Sequence, residues 1–492
     1  MTATKDIETS IAEKKEELPP SGIGPYTTYQ RLIRQRLDEA DACDTFVEDI
    51  QSMNNNHNDN NNNNNDHSFV LPMVSMKDLA QLASPYSSSS SEKEQHILQL
   101  ERQELIQQIQ DQGGGCVLVE LGSIEADIMD GMWSSMEKVY RICDEEHYSL
   151  RHQILSRENT NSTPQLAHEQ QENVKGYQFI TSYIDQGDFV IEPPFVMDVL
   201  GMESTWDLLG AYRLMERIGT DLSIMALSSS SSSSSTMSSL CEGEDVVSFS
   251  THIVQSLLSS TPESSCYESE GSGHRLCRYI AQGDGQGTAE QGLATHTDWS
   301  LSTPLPVSSI CGLEVYIPNH KCWVRPEVEA RRHYLAQQQN NNHNHNNNKN
   351  SRRWHSNYAI VMIGKWVELL TNGTLKSCVH RVVAGKAGNP PRLSAPFFLR
   401  AREDMFVGLR ERFDDTFTTS STSSSSKKGI TMEPHYCDLS STEAIQCMHD
   451  YVMEQVKHQQ RQPQQPSQST TTTTSTTADP SSPPKVYRPP KF

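Results

Sequence analysis

The chain has 492 residues, of which 35% are hydrophobic, and its 41 basic and 62 acidic residues give a formal net charge of −21. This acidic balance argues against a nucleic-acid partner, because phosphate binding needs a basic surface, and the lack of long apolar runs argues against a membrane partner. The 11 cysteines have no paired spacing, so they indicate neither a zinc motif nor a disulfide framework and favour a reducing, cytoplasmic location.

The first half of the chain combines a polar N-terminal region with segments of clear periodicity. Residues 1–67 include an Asn-rich tract and predict a mostly disordered N-terminal region with a short helix near residues 29–50. Residues 68–227 predict an N-terminal oxygenase-like unit with supporting helices. Its predicted elements are a strand at 69–74, helices at 94–112, 129–143 and 206–227, and a strand at 116–121.

A run of serines beginning at Ser228 opens a region, 228–270, that predicts a flexible linker. From residue 271 to about 410 the apolar period changes to two, which is typical of short strands separated by turns. Within this stretch, residues 329–357 form a low-complexity insert, which a surface turn tolerates because closure entropy grows slowly with loop length. The predicted strands are 276–281, 293–297, 312–317, 322–325, 358–363, 375–383 and 393–400.

The C-terminal part predicts a polar spacer and a helix at 441–458 within residues 411–458, followed by a disordered tail at 459–492. We expect the helix to cap one end of the strand domain. The predicted fold class is therefore α+β and mainly β: a double-stranded β-helix (jelly roll) with flanking N-terminal and C-terminal helices and disordered low-complexity inserts.

Two motifs in the strand region carry the residue types of a metal site. His296 and Asp298 are one residue apart, so on a strand both side chains point to the same face. His380, on a later predicted strand, can supply a third ligand. Two histidines and one carboxylate on one side of an ion leave positions open on the other side, as in non-haem Fe(II) oxygenases. A strand-surface pair at His296 and Asp298 is the structural alternative.

A third motif places Arg392 and Ser394 on one face of a further strand. A guanidinium and a hydroxyl arranged in this way are suited to binding a carboxylate. An ordinary surface ion pair at Arg392 is the alternative. Cys378 is expected to be a packed thiol, and His343 and His345 are expected to lie in the Asn tract by chance. Residues 175–189 could line the entrance of the barrel or simply pack.

Taken together, these segments resemble the Fe(II)- and 2-oxoglutarate-dependent dioxygenases of the isopenicillin N synthase-like superfamily. The likeness rests on His296-x-Asp298, on the segment 364–383 that contains His380, and on Arg392-x-Ser394 followed by Ala-Pro-Phe-Phe-Leu. A weaker likeness covers the strand and helix order of the N-terminal unit.

The resemblance implies Fe(II) bound by His296, Asp298 and His380, with 2-oxoglutarate as cosubstrate, dioxygen as oxidant and ascorbate as a candidate stimulant. It implies that Arg392 and Ser394 hold the distal carboxylate of 2-oxoglutarate and that Tyr279 reaches the same cosubstrate. Two departures stand out: Cys277 replaces an Asn that many relatives carry two positions before the Tyr, and Lys365 replaces an acidic residue after Gly364.

The leading functional hypothesis is hydroxylation or desaturation of a small organic molecule by a monomeric enzyme. One alternative is a member of the superfamily that oxidises its substrate without 2-oxoglutarate. Another is a non-catalytic jelly roll that binds a metal, a partner or a metabolite. The substrate itself is not evident from any motif.

Overall fold

The computed structural model describes the chain as a series of segments. These are residues 25–47, 70–85, 91–145, 177–185, 187–192, 194–230, 246–259, 271–280, 291–341, 352–383, 390–402, 404–405 and 441–461. The predicted disordered tail at 459–492, the Asn-rich tract, and His343 and His345 lie wholly or mostly outside these residues.

Helices and strands alternate along the described chain. The helices are α1 Pro25–Asp41, α2 Met76–Ala83, α3 Glu92–Asp111, α4 Ser123–Glu145, α5 Phe195–Ser230, α6 Val246–Leu258, α7 Pro326–Asn341, α8 Lys365–Leu370 and α9 Ser441–Arg461. The strands are β1 Met73–Ser75, β2 Cys116–Glu120, β3 Tyr177–Asp185, β4 Asp188–Glu192, β5 Gly273–Tyr279, β6 Gln291–His296, β7 Ser302–Pro306, β8 Leu313–Ile317, β9 Cys322–Val324, β10 Tyr358–Ile363, β11 His380–Val383, β12 Arg392–Ser394 and β13 Phe397–Phe398.

The strands form two layers, which we call the large and the small layer. The small layer has the order β6-β11-β8-β9. The large layer consists of the sheets β1-β2-β10-β7 and β12-β5-β3-β4, with β13 paired to β5 and a bridge between Ser302 and Leu399 joining β7 to the end of β13. All named strand pairs are antiparallel except β1–β2, which is parallel.

Strand β10 shows why the large layer is apolar on both faces. Every residue of Tyr358–Ile363 is buried, and successive side chains enter different hydrophobic clusters. Ile360 and Met362 join the inner cluster, which also contains Val315 of the small layer. Val361 joins the outer cluster beneath the helices. A strand covered on both sides needs a continuous apolar run and not an alternating one.

The outer cluster is covered by α4, α5, α6 and α9. Helix α5 extends the predicted helix at both ends and has a kink at Gly201, where φ is 74°. It lies on the large layer, where the Ser302 hydroxyl donates a 2.9 Å hydrogen bond to the carbonyl of Gly219. Helix α9 buries Met448 and Val452 in this same outer cluster. It therefore packs with the supporting helices, outside the inner cluster that it was expected to cap.

Three helices lie in or extend into regions whose composition predicted disorder or flexibility. Helix α6 lies inside the expected flexible linker, where Ile253 and Leu257 are fully buried. Helix α7 occupies the first half of the expected low-complexity insert, with Glu327 and Glu329 buried. Helix α1 is packed, since Tyr29 is 0% exposed, so a helix within residues 1–67 is present and is part of the core. In each case packing against the rest of the fold stabilises a helix that is flanked by polar or low-complexity sequence.

The mixture of helices and antiparallel sheets agrees with the predicted class. Each predicted strand from residue 276 onward has a counterpart, with shifted ends, although the last one is divided into β12 and β13. Strands β3, β4 and β7 were not predicted. In the described part of the chain, no helix combines the length and the apolarity needed to cross a bilayer.

Candidate metal centre

The three predicted ligands come together where two strands of the small layer pair. His296 ends β6, His380 begins β11, and these two residues are directly opposite each other in the antiparallel register. Asp298 lies just beyond the end of β6, in the loop that leads to β7. The expectation that Asp298 and His296 lie side by side is therefore confirmed, although Asp298 lies in a loop and not on the strand.

The side-chain atoms of this cluster are close enough to share one ion. One ligand atom from each of His296, Asp298 and His380 lies within 4.8 Å of the others. His296 Nε2 is 3.6 Å from Asp298 Oδ1, and His380 Nε2 is 3.7 Å from Asp298 Oδ2. Metal bonds of about 2.0–2.2 Å allow two ligands of one ion to be at most roughly 4.4 Å apart. Both measured distances satisfy that limit.

Backbone contacts orient both imidazoles toward the cluster. His296 Nδ1 is 2.7 Å from the carbonyl oxygen of Ala294, and His380 Nδ1 is 3.2 Å from that of Cys378. A carbonyl only accepts, so each Nδ1 carries the proton and each Nε2 keeps its lone pair. Hydrogen bonds of this kind fix the tautomer and ring orientation of metal-binding histidines.

Burial and charge also favour the metal-binding protonation states. Burial, together with the nearby His296, lowers the pKa of His380 to about 4, so its imidazole is neutral at pH 7. Burial raises the pKa of Asp298, but His380, His296, the Thr303 hydroxyl and Arg400 together lower it below its usual value. Asp298 is thus an anionic ligand beside the neutral imidazole of His380. His296 has a side chain that is 31% exposed, so the open side of the cluster faces solvent.

The loop that carries Asp298 is held by two further contacts. The Thr303 hydroxyl donates a 2.7 Å hydrogen bond to Asp298 Oδ2, and the backbone amide of Lys365 donates to the carbonyl of Asp298 at 2.9 Å. A Cβ on Gly364 would lie 2.0 Å from the carbonyl oxygen of Ser300, so this close approach requires glycine. The Lys365 ammonium, where an acidic residue was expected, lies 4.7 Å from the Trp299 ring centre.

Arg392 and Ser394, the carboxylate clamp, occupy β12 in the large layer. Arg392 pairs with Tyr279 and Ser394 with Cys277 across the β12–β5 ladder. Cys277 and Tyr279 belong to the inner cluster, so this face of the ladder points between the two layers. The Arg392 guanidinium carbon lies 5.4 Å from the Tyr279 ring centre. The structure thus brings the three predicted cosubstrate residues together.

Arg392 also has a partner that the sequence did not indicate. Its Nη2 donates to Glu327 Oε1 at 2.9 Å, and the side chains of this ion pair are 1% and 0% exposed. Its Nε donates to the carbonyl of Ile310 at 3.2 Å. Among the described residues, Nη1 of Arg392 and Oε2 of Glu327 are buried without a hydrogen-bond partner. Arg392 therefore forms a buried ion pair within the candidate cosubstrate site, and not the surface ion pair that was the alternative.

Other expected residues have ordinary packing roles. Phe189 is 1% exposed and stacks edge-on against Tyr212 in the outer cluster, with ring centres 5.9 Å apart, so it does not line an entrance. Cys378 is buried. Thr303 and Glu327 were missed by sequence reasoning. Neither belongs to a recognisable motif, and each reaches its partner only through the fold.

A protein-family model matches the part of the chain that carries the later residues of this site. Residues 330–401 match the model of the 2OG-Fe(II) oxygenase superfamily, and the match includes His380, Arg392 and Ser394. Residues 330–401 are therefore similar to the oxygenases of this superfamily, and this similarity supports Fe(II), 2-oxoglutarate and dioxygen as the cofactor and cosubstrates of the site. No curated protein matches the chain in sequence.

Similar solved structures include two proteins from a fungus and a plant. A full-length Neurospora crassa protein, in complex with alpha-KG, is 16% identical, with 68% of this chain and 87% of that chain covered and a TM-score of 0.40. The dioxygenase for auxin oxidation 1 of Arabidopsis thaliana, in complex with 2-oxoglutarate, is 15% identical, with 68% and 94% covered and a TM-score of 0.39.

The residues present fit the metal of this superfamily. Two neutral imidazoles and one carboxylate are a donor set for Fe(II), and they leave positions open for other ligands. The fit to 2-oxoglutarate rests on the buried Nη1 donor of Arg392, which lacks a partner among the described residues. Glu327 opposes that fit, because its negative charge already neutralises the guanidinium.

Proposed function

We propose that the chain couples the oxidative decarboxylation of 2-oxoglutarate to the hydroxylation or desaturation of a small organic metabolite. The observation that carries this proposal is the convergence of His296, Asp298 and His380 within 4.8 Å. Nothing in strand pairing or core packing requires these three polar side chains to meet. A strand-surface pair would not need both imidazoles to turn Nε2 toward the same carboxylate.

The arrangement of strands supports a double-stranded β-helix around this centre. Strands β5 to β8 and strands β9 to β12 alternate between the large and the small layer, and β8 and β9 form a hairpin within the small layer. The inner cluster between the layers contains residues of both, such as Cys277 and Leu313. In this fold the metal ligands lie at one end of the small layer and the carboxylate clamp lies on the facing layer.

The residues of the site have separate roles in this proposal. His296, Asp298 and His380 would hold the iron, which together with dioxygen and 2-oxoglutarate would supply the oxidant for a C–H bond. Thr303 keeps Asp298 in place through its 2.7 Å hydrogen bond. Arg392 and Ser394 orient the cosubstrate from the facing layer. The protein thereby positions its reactants and keeps competing reactions away, while the cofactor carries the chemistry.

The substrate side of the centre is aromatic and cationic. Arg275 is on the same face of β5 as Cys277, because the two are separated by one residue. Its guanidinium carbon lies 4.7 Å from the Phe179 ring centre and 5.3 Å from that of Phe398. Arg400 lies 4.8 Å from the same Phe398 ring and helps to lower the pKa of Asp298. This surface favours an organic substrate with an acidic or aromatic group.

The test is release of carbon dioxide from 1-labelled 2-oxoglutarate by the purified chain with Fe(II), ascorbate and air. We expect slow release without a substrate, faster release with the correct metabolite, and none from His296→Ala. His320→Ala, at an exposed turn after β8, is the matched control and should behave as wild type. No release under any condition, with iron bound, would contradict the proposal.

A second candidate function is oxidation without 2-oxoglutarate, and the Arg392–Glu327 pair favours it. A guanidinium that is already neutralised attracts a dicarboxylate less strongly than a free one does. Oxygen consumption that depends on a small-molecule substrate and on iron, and is unaffected by omitting 2-oxoglutarate, would support this candidate over the first.

A further inference from the structure

The buried ion pair between Arg392 and Glu327 lies where the distal carboxylate of the cosubstrate is expected. Arg392 is opposite Tyr279 in the β12–β5 ladder, on the face that points between the layers. A Cβ on Gly312 would lie 2.6 Å from Arg392 Cδ and 2.8 Å from the carbonyl oxygen of Val383. The arginine stem therefore crosses the small layer beside Val383, the last residue of β11, roughly 10 Å along the strand from His380.

Glu327 is held in place by the same loop that holds the arginine. The backbone amide of Leu313 donates to Glu327 Oε1 at 3.1 Å, and the carbonyl of Ile310 accepts from Arg392 Nε at 3.2 Å. Glu327 is the second residue of α7, a helix that begins just before the expected low-complexity insert at 329–357 and continues into it. Residues 310–313 thus fix both partners of the pair in one place.

The charges of the pair cancel before any ligand arrives. An isolated buried guanidinium attracts a carboxylate strongly, because both charges are removed from water and hydrogen bonds between them are charge-assisted. With Glu327 present, a second carboxylate at Arg392 would leave one buried negative charge without a countercharge, which is costly. Only the Nη1 donor, which lacks a partner among the described residues, remains to bind it.

We propose that Glu327 is a specificity-determining residue of the cosubstrate site, which weakens the preference for a 2-oxo acid with a distal carboxylate. This inference rests on the proposed function, since it assumes that a 2-oxo acid binds the metal beside Arg392. It predicts that the chain discriminates poorly between 2-oxoglutarate and 2-oxopentanoate, which has the same carbon chain but ends in a methyl group.

The experiment measures equilibrium binding of both 2-oxo acids to the full chain loaded with Mn(II) in the absence of oxygen, by calorimetry. For wild type we expect the two affinities to differ by less than about tenfold, since the clamp carries no net charge. Glu327→Gln removes the countercharge and should strengthen binding of 2-oxoglutarate by about tenfold or more, with 2-oxopentanoate unchanged.

The matched control is Glu329→Gln on the same helix. Glu329 is 1% exposed and pairs with Arg332 at 2.7 Å, so this change also removes one buried negative charge but leaves the clamp intact. It should leave the affinities for both 2-oxo acids at the wild-type values. An equal gain from Glu329→Gln would overturn the specific role of Glu327.

Other outcomes distinguish a failure of this inference from a failure of the proposed function. A wild-type preference for 2-oxoglutarate greater than about tenfold overturns the inference and leaves the proposed function standing. Because this measurement uses only the wild-type protein, it does not depend on whether a variant folds. No binding of either 2-oxo acid to the Mn(II)-loaded chain, or equal binding to His296→Ala, overturns both. Unchanged 2-oxoglutarate affinity in folded Glu327→Gln overturns the inference alone.

Discussion

The metal centre and the carboxylate clamp are two ends of one candidate site, yet they are built differently. The metal centre consists of His296, Asp298 and His380, whose donor atoms face one another and are supported, among the described residues, by backbone carbonyls and the Thr303 hydroxyl. At the clamp, Arg392 already has a charged partner, Glu327, at 2.9 Å. The metal centre is arranged to bind a cation, whereas the positive charge of Arg392 at the clamp is already neutralised by Glu327.

This contrast shows that the binding properties of a motif depend on which residues the fold packs against it. The ligands of the metal centre meet because two strands pair in register, so the pairing that forms the small layer also forms the site. The environment of Arg392 is set by a helix 65 positions away in sequence. A motif match reports that an arginine is present, but the residue packed against it determines how strongly it can bind an anion.

The largest expected effect comes from removing a ligand of the metal centre. Asp298→Ala should lower Fe(II) affinity by more than about 100-fold, because loss of a direct ligand exceeds the roughly 10–100-fold cost of losing a supporting contact. Metal content after dialysis and binding titration measure this change. Wild-type affinity in this variant would show that the three residues do not share an ion.

The next largest effect should come from breaking the Arg392–Glu327 pair. Arg392→Met leaves the Glu327 carboxylate buried without a countercharge, which typically costs about 3–5 kcal/mol in stability. Adding Glu327→Gln should recover most of that loss, because no buried charge then remains. Denaturant unfolding of both single variants and the double variant measures the coupling, and additive losses would contradict a buried pair.

A third effect concerns pH and the strand that carries Tyr279. Burial lowers the pKa of His274 on β5 to about 4 from 6.5, although its hydrogen bond to the carbonyl of Ala395 raises it. The unfolded chain therefore takes up a proton on this residue first as pH falls. The stability is complete above about pH 6.5 and is lost toward pH 4, by at most about 3 kcal/mol.

His274→Gln removes this titration. Thermal melting of the two proteins at about pH 7 and about pH 4.5 should show a smaller pH-dependent loss in the variant. Parallel losses in wild type and variant would show that His274 is not the group responsible, in which case other buried histidines such as His355, whose pKa burial also lowers to about 4, become the candidates.

The smallest expected effect is the loss of support for Asp298. Thr303→Val removes the hydroxyl that donates to Oδ2 and should weaken metal binding by about 10–100-fold. Thr303→Ser keeps the donor and should restore most of the affinity. Titration of the metal-free protein with Mn(II) measures both variants, and a similar affinity in the valine and serine variants would contradict a positioning role.

The sequence by itself determined the chemistry of the metal centre. The spacing of His296 and Asp298, together with a third candidate on a later strand, specified which atoms could bind an ion, because the period of a strand is a local property. It also determined the strand-rich second half. Low local hydrophobicity hid α7, and the serine-rich sequence on either side hid α6, although residues 246–258 carry apolar side chains at helical spacing. Both helices gain stability from partners distant in the chain.

Only the tertiary structure decided which residues stand opposite these motifs. Strand register brought His380 to His296, the loop before β7 brought Thr303 to Asp298, and the packing of α7 brought Glu327 to Arg392. Such contacts depend on the path of the whole chain, since residues far apart in sequence meet only after the layers have packed. The charge of the clamp is for that reason a property of the fold and not of the Arg-x-Ser motif.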